Sequence, residues 1–353
     1  MTILKTLLIS LSIISCSFSF AQGEVTVGDS TALDELKALE FYNIGIENFN
    51  NKAYQDAILQ FDTALIFSAN YEKAYFNRGA ANYQLKAYSN AIQDFDSSIV
   101  IQPDSNEAYY LRGRSHQELK NDKAALSDYT TTLHFDQTHA QAYYYIGGYL
   151  FLEGKYSEAI STFSNAIKND PNSAYAYNDR ASSKRQLNDL NGAIEDYKKA
   201  IAIDQTLSFV YNNLGSAFRK KEKYKAAITN YSMAIKLNSK SELTYNNRGL
   251  AKHEKGDYAD AIKDFDQAIQ LNKNYAFAYN NRAASKFKRE DYNGAVKDCT
   301  QAILLNASYA AAYLNRGIAY EMLRAQKKAC EDWKKAASLG LKNGKSFVQQ
   351  SCN

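Results

Sequence analysis

Aromatic and small residues recur along this chain at a fixed spacing of 34 residues. Phe41, Tyr75, Tyr109, Tyr143, Tyr177, Tyr211, Tyr245, Tyr279 and Tyr313 fall in one column, and all nine are aromatic. Four places on, Gly45, Gly79, Gly113, Gly147, Ala181, Gly215, Gly249, Ala283 and Gly317 hold only glycine or alanine. Twelve further on, every unit has alanine, from Ala57 and Ala91 to Ala329, and four beyond that every unit but one has an aromatic; the exception is Cys299. Small residues from Ala64 to Ala336 close each unit, with no insertion or deletion anywhere. Only two prolines occur in 353 residues, which predicts long uninterrupted helices and an all-α protein. An apolar share of 45% is enough for large buried interfaces and too high for disorder.

This pattern resembles the tetratricopeptide repeat over residues 38–343. The resemblance implies a right-handed α-solenoid of nine 34-residue helix-turn-helix units, 38–71, 72–105, 106–139, 140–173, 174–207, 208–241, 242–275, 276–309 and 310–343. Residues 22–37 form a lead-in and 344–353 a short C-terminal cap. Each unit is two antiparallel helices: small residues let the pair approach closely, and aromatics fill the groove against neighbouring units. The end-of-repeat proline of the family appears only as Pro103 and Pro171. Other junctions rely on Asp, Asn and Ser, as in Leu237-Asn238-Ser239. Thr31 with Asp34 predicts a helix start, and Asn343 to Ser351 a closing helix that sets Phe347 on the last unit.

Met1 to Gln22 places Lys5 before an apolar stretch from Leu7 to Phe20 and the small-residue site Ser19-Phe20-Ala21. This reads as a secretory signal, residues 1–21, cleaved after Ala21. A second reading takes Ile13-Ile14-Ser15-Cys16 as a bacterial lipobox with Cys16 acylated; it ranks lower because Phe18 and Phe20 continue the apolar core past Cys16. A transmembrane anchor fits poorly, since the stretch is short and interrupted by serines. The expectation is an exported chain, periplasmic or extracellular, with no transmembrane segment once mature.

Because the units are their own alignment, columns can be compared within the chain. Position 7 is arginine in six units, Arg78, Arg112, Arg180, Arg248, Arg282 and Arg316, and position 23 is aspartate in the same six, Asp94, Asp128, Asp196, Asp264, Asp298 and Asp332. The remaining units pair Ile44 with Gln60, Ile146 with Thr162 and Leu214 with Asn230, so neither charge appears alone. With the turn near position 15, antiparallel packing sets position 7 beside position 23, which predicts ion pairs within each unit. If exposed, each contributes about 0.2–1 kcal/mol. A bridge to the preceding unit fits worse, because Arg78, Arg180 and Arg248 would then face Gln60, Thr162 and Asn230.

No catalytic chemistry emerges. His134 and His139 lack the same-face spacing of a helical metal site, and there is no phosphate-binding glycine loop, nucleophile elbow or zinc-helix motif. A solenoid offers an open groove where an acid and base pair needs a closed pocket. The expectation is a protein that is no enzyme and uses no cofactor or metal. The mature cysteines are Cys299, Cys330 and Cys352. Cys299 replaces a core aromatic and reads as a buried thiol. Cys330 and Cys352 meet if the closing helix folds back, and the stretch from Ala329 to Cys352 resembles the endings of exported bacterial members of the family, which implies a bridge. Closing a loop of about 20 residues, it would contribute roughly 3 kcal/mol; the alternative is three free thiols.

In the family the first helix of each unit lines a concave wall, with position 6 facing inward. Here position 6 carries Asn43, Asn77, Leu111, Tyr145, Asp179, Asn213, Asn247, Asn281 and Asn315. It resembles the asparagine ladder of the O-linked N-acetylglucosamine transferase solenoid, whose amides grip the backbone of an extended peptide. Asparagine both donates and accepts, so it matches a peptide unit without reading its side chain; the alternative is that it merely caps or spaces the units. Position 5 changes from Tyr42, Phe76, Tyr110 and Tyr144 to Asn178, Asn212, Asn246 and Asn280. The first set reads as an aromatic stripe that docks apolar or proline-rich side chains, the alternative being packing between neighbouring first helices.

A formal net charge of +4 conceals an asymmetry. Residues 38–173 carry 10 basic against 16 acidic side chains, a balance of −6, and residues 174–343 carry 29 against 18, a balance of +11. Arg185, Arg219, Lys220, His253 and Lys288 stand at positions 12 and 13, which line the groove's edge in the family. The sequence therefore predicts a scaffold or adaptor that takes a protein or peptide, with an acidic segment toward the C-terminal half and an apolar one toward Tyr42 to Tyr144. The alternative is a carbohydrate or envelope-polymer module. Nucleic acid is disfavoured by export and by the absence of any dedicated motif.

Overall fold

The computed structural model describes residues 30–352. The signal peptide, its cleavage after Ala21 and the acylation of Cys16 lie outside the described residues. The described chain is helical, with no strand. The first helices of the nine units are α1 (Ser30–Asn50), α3 (Glu72–Gln84), α5 (Asn106–Glu118), α7 (Ala140–Leu152), α9 (Ala174–Gln186), α11 (Ser208–Lys220), α13 (Glu242–Lys255), α15 (Ala276–Lys288) and α17 (Ala310–Met322). The second helices are α2 (Tyr54–Phe67), α4 (Tyr88–Ile101), α6 (Asp122–Phe135), α8 (Tyr156–Asn169), α10 (Leu190–Ile203), α12 (Tyr224–Leu237), α14 (Tyr258–Leu271), α16 (Tyr292–Leu305) and α18 (Gln326–Ser338), and α19 (Lys342–Ser351) closes the chain. The helices gather into two compact units, one ending at Gln102 and one beginning at Pro103.

One contact repeats at the heart of every helix pair. The position 24 residues Phe61, Phe95, Tyr129, Phe163, Tyr197, Tyr231, Phe265 and Trp333 are fully buried, as is Cys299. The glycine column faces these rings: a Cβ on Gly45 would stand 2.5 Å from the Phe61 ring, and one on Gly317 equally close to Trp333. A Cβ that close would push the helices apart, so glycine allows the first helix to lie directly on the ring in seven units, while Ala181 meets Tyr197 and Ala283 meets Cys299 in the other two. Position 20 alanines from Ala57 to Ala329 pack at no more than 2% exposure.

The turn inside each pair is held at one residue. Position 15 has positive φ in all nine units, at 77° and 96° in Gly154 and Gly256, and between 57° and 64° in Lys52, Lys86, Lys120, Asn188, Glu222, Glu290 and Arg324. Most of these are not glycine, so the left-handed turn is imposed by the packing of the two helices it joins. Between units the chain turns on position 31. The side chains of Asp136, Asp170, Asp204, Asn238, Asn272 and Asn306 each accept from the backbone N–H two residues on, at 2.8–3.1 Å. At five of these six junctions the Asx turn stands where the family's proline is missing, and at the sixth Asp170 precedes Pro171.

At the C-terminus, α19 folds back on α18. Phe347 stacks on Trp333 with ring centroids 4.8 Å apart, and Cys330 is joined to Cys352 by a disulfide. Cys299 is a free, buried thiol. The first helix is described from Ser30, one residue ahead of the expected start at Thr31.

Candidate interaction groove

The position 7 arginines are drawn inward by the aspartates of the facing helix. In all six units the guanidinium meets the position 23 carboxylate, with Nη2 at 2.6–2.8 Å where the two-point grip is completed by Nε, as in Arg180 with Asp196, Arg248 with Asp264 and Arg316 with Asp332. Arg78 with Asp94, Arg112 with Asp128 and Arg282 with Asp298 make the same pair. The aspartates are only 3–5% exposed, so these are buried pairs rather than surface ones. Burial pushes the Asp94 carboxyl above its usual range, and Arg78 pulls against it. Each guanidinium also lies over the position 4 tyrosine of its own helix, as Arg248 does over Tyr245 at 5.6 Å.

The expected restriction to one unit needs correction. The remaining amino group, Nη1, reaches position 25 of the preceding second helix: Asp62 from Arg78, Ser164 from Arg180, Ser232 from Arg248, Asp266 from Arg282 and Thr300 from Arg316, at 2.5–3.1 Å. One arginine thus ties three helices. The preceding unit is engaged through position 25, two places beyond the column compared above. Lys184, Lys252 and Lys286 at position 11 add a second cation to Asp196, Asp264 and Asp298.

Positions 5 and 6 place their amides against one another across neighbouring first helices. Asn213 donates Nδ2–H to Asn178 Oδ1, Asn247 to Asn212, Asn281 to Asn246 and Asn315 to Asn280, at 2.9–3.0 Å. Asn178, Asn246 and Asn280 are buried, and the position 6 partners are half-buried. The ladder is therefore first a seam between units. Among the described residues, each position 6 amide keeps its own carbonyl oxygen and one N–H unused, and it is held in a fixed orientation. In the N-terminal unit Asn77 donates instead to the Tyr42 hydroxyl at 3.1 Å and to the Lys73 carbonyl, while Asn43 is exposed.

The aromatic stripe is more deeply packed than a docking surface requires. Tyr110 is buried against Tyr129, His139 and Tyr145, which removes it from the wall. Tyr144 donates its hydroxyl to Asp179 at 2.9 Å, and Asn178 donates to the other oxygen. Burial lifts the Asp179 carboxyl to about 6. Phe76 tilts against Phe95, and burial beside Tyr71 pushes the Tyr42 hydroxyl to about 12. Leu111 is buried and Tyr145 stacks on Tyr129, so the asparagine ladder gives way there to packing.

At the groove's edge the cations differ in freedom. Arg219 is bound to Glu254 at 2.5 Å, and its charge is largely answered within the chain. Arg185 is half-buried beside Tyr197, and its buried Nε has no partner among the described residues. Lys288 is exposed. His253 shares a 2.8 Å hydrogen bond with Ser285, and burial with the charge of Lys288 holds it below the ordinary histidine range. Among the described residues no cluster of three or more metal-ligating side chains occurs, and no helix is long and apolar enough to cross a membrane.

Sequence models described as TPR repeat match residues 181–219 and 215–256, and models described as tetratricopeptide repeat match 42–106, 110–174 and 243–275. No curated protein matches the chain by sequence. A tetratricopeptide repeat protein from Parabacteroides merdae superposes with a TM-score of 0.57 at 18% identity, covering 70% of this chain and 99% of its own. The Cut9–Hcn1 hetero-tetramer of APC/C gives 0.57 at 17% identity, covering 90% and 76%. MamA is 26% identical over 47% of this chain and 96% of its own, with a TM-score of 0.43.

Proposed function

Since the chain belongs to the tetratricopeptide repeat family, an α-solenoid fold of protein–protein interaction scaffolds, we propose that it holds an extended stretch of polypeptide along the first-helix wall of its C-terminal unit. One observation carries this reading: four consecutive amide pairs, from Asn178–Asn213 to Asn280–Asn315, present the same unused carbonyl and N–H at every unit. A peptide backbone offers complementary groups whatever its side chains are. Because the seam already fixes the amides, little side-chain entropy is lost on binding. Arg185 and Lys288 favour an acidic segment. The role is non-catalytic.

An exported setting supports the same picture. The leader read from the sequence directs the chain outward, and the Cys330–Cys352 disulfide is of a kind that persists in oxidising compartments. N-terminal sequencing of the mature chain should begin at Gln22; a lipid-blocked Cys16 would replace that placement with anchoring.

The test is a titration of the mature chain with unstructured acidic, neutral and basic peptides, and with soluble glycans, at low and high salt. Acidic peptides should bind, and more weakly as salt rises. Retention on glycan with no peptide binding would instead favour the carbohydrate reading, which the burial of Tyr110 weakens by removing an aromatic face.

A further inference from the structure

Eight of the nine units fill position 24 with a ring, and the eighth unit has Cys299. Beside it lies a cavity of about 220 Å³ among the last three units, with Cys299, Ala295 and Ala283 buried at its base and Ala284, Phe287 and Ile318 lining it. Its mouth carries His253, Lys288 and Asn315, all on first helices, so it opens onto the proposed peptide wall. The Cys299 thiol is fully buried, and burial pushes it to about 12, so it stays neutral and lines the floor as a small apolar group. A space of roughly 150 Å³ walled by apolar side chains takes a benzene ring, and such a space gives water few partners.

We propose that this cavity is the anchor pocket for a phenylalanine or tyrosine side chain of the bound segment, with an adjacent carboxylate of that segment meeting Lys288. The inference deepens the groove reading and rests on it. The pocket lacks the ring that every other unit supplies from within, and the partner's ring takes its place. Lys288 has no ion-pair partner among the described residues, whereas Lys286, two residues away, is committed to Asp298. Asn315 spends one N–H on Asn280 and keeps its carbonyl oxygen for a backbone N–H beside the anchor.

N-acetylphenylalanine, its amide and N-acetylalanine are probes small enough to test the pocket without the groove. Ligand-observed NMR should show N-acetylphenylalanine binding with roughly millimolar affinity, as its size allows, and N-acetylalanine not binding. Cys299→Phe fills the base of the cavity from within, against the Ala283 Cβ, and should weaken binding about tenfold or more. Ala284→Trp covers the mouth from the groove side and should do the same without touching the core, so the test survives if Cys299→Phe fails to fold. Lys288→Ala should weaken the acid and spare the amide. Equal binding of N-acetylalanine, or unchanged binding in folded Ala284→Trp, overturns the pocket. Extended acidic peptides that still bind in that case leave the groove reading standing, and their failure to bind overturns the groove instead.

Discussion

An arginine that grips a buried aspartate, reaches the preceding unit and covers a tyrosine is worth more than a surface pair, and its loss should depend on what remains. Arg316→Ala leaves Asp332 buried without another cation in contact, which should cost about 3–5 kcal/mol in urea unfolding. Arg248→Ala should cost clearly less, because Lys252 still holds Asp264 at 2.7 Å. Leu214 with Asn230 shows that the chain accepts a neutral pair at the same place, so Arg316→Leu with Asp332→Asn should recover most of the loss. Equal costs for the two single variants would count against this account. Asp179 supplies a pH test. Its folded carboxyl stands near 6, above its ordinary 3.8, so the folded state holds the proton more tightly; that stability is present below pH 4 and fades as pH rises through 6. Asp179→Asn keeps an acceptor for Tyr144 but turns an N–H toward the Asn178 donor, so it should flatten the pH 4–6 dependence while returning only part of the stability that the parent loses above pH 6. The pairing of arginine with aspartate was legible because both charges vanish together in three units; its burial was not, since no single column reports solvent.

At the scale of elements, the turn at position 15 is common to all units while its residue is not. Lys120 adopts φ 61° at a cost that glycine would not incur, so Lys120→Gly should raise stability by up to about 1 kcal/mol, and Gly256→Ala, at φ 96°, should lower it by at least as much. Opposite signs in thermal melts check the assignment. The closing helix depends on its staple. Cys352→Ser should lower stability by about 2–4 kcal/mol and expose α19 to hydrogen exchange before α18, because without the bridge α19 keeps only the Phe347–Trp333 stack, the close approach of Gly344 to α18 and the Gln326–Ser351 hydrogen bond. Helix spacing could be read from the 34-residue period, and the turn near position 15 from antiparallel geometry. The left-handed backbone at lysine and glutamate could not, because their own preference opposes it and only the packed helices impose it.

For the whole molecule, net charge is a poor guide to what a partner meets. Arg180, Arg248, Arg282, Arg316, Lys184, Lys252, Lys286 and Arg219 are all spent on carboxylates within the chain. Reversing Arg219 would therefore set a carboxylate beside Glu254 and test stability as much as capture. Lys288→Glu, at an exposed cation, is the cleaner variant: association with an acidic peptide should slow at low salt and converge with the parent at high salt, with an unchanged thermal melt. A rate insensitive to salt in the parent would remove electrostatic steering from the proposal. The sequence by itself determined the repeat, its helix pairs and the arginine-aspartate pairs, because nine copies make the chain its own alignment and each column records one environment. Only the tertiary structure decided which groups remain free. The position 25 acceptors, the amide seam, the burial of Tyr110 and the pocket over Cys299 arise between helices of different units, where the angle at which one unit meets the next selects partners that no column contains.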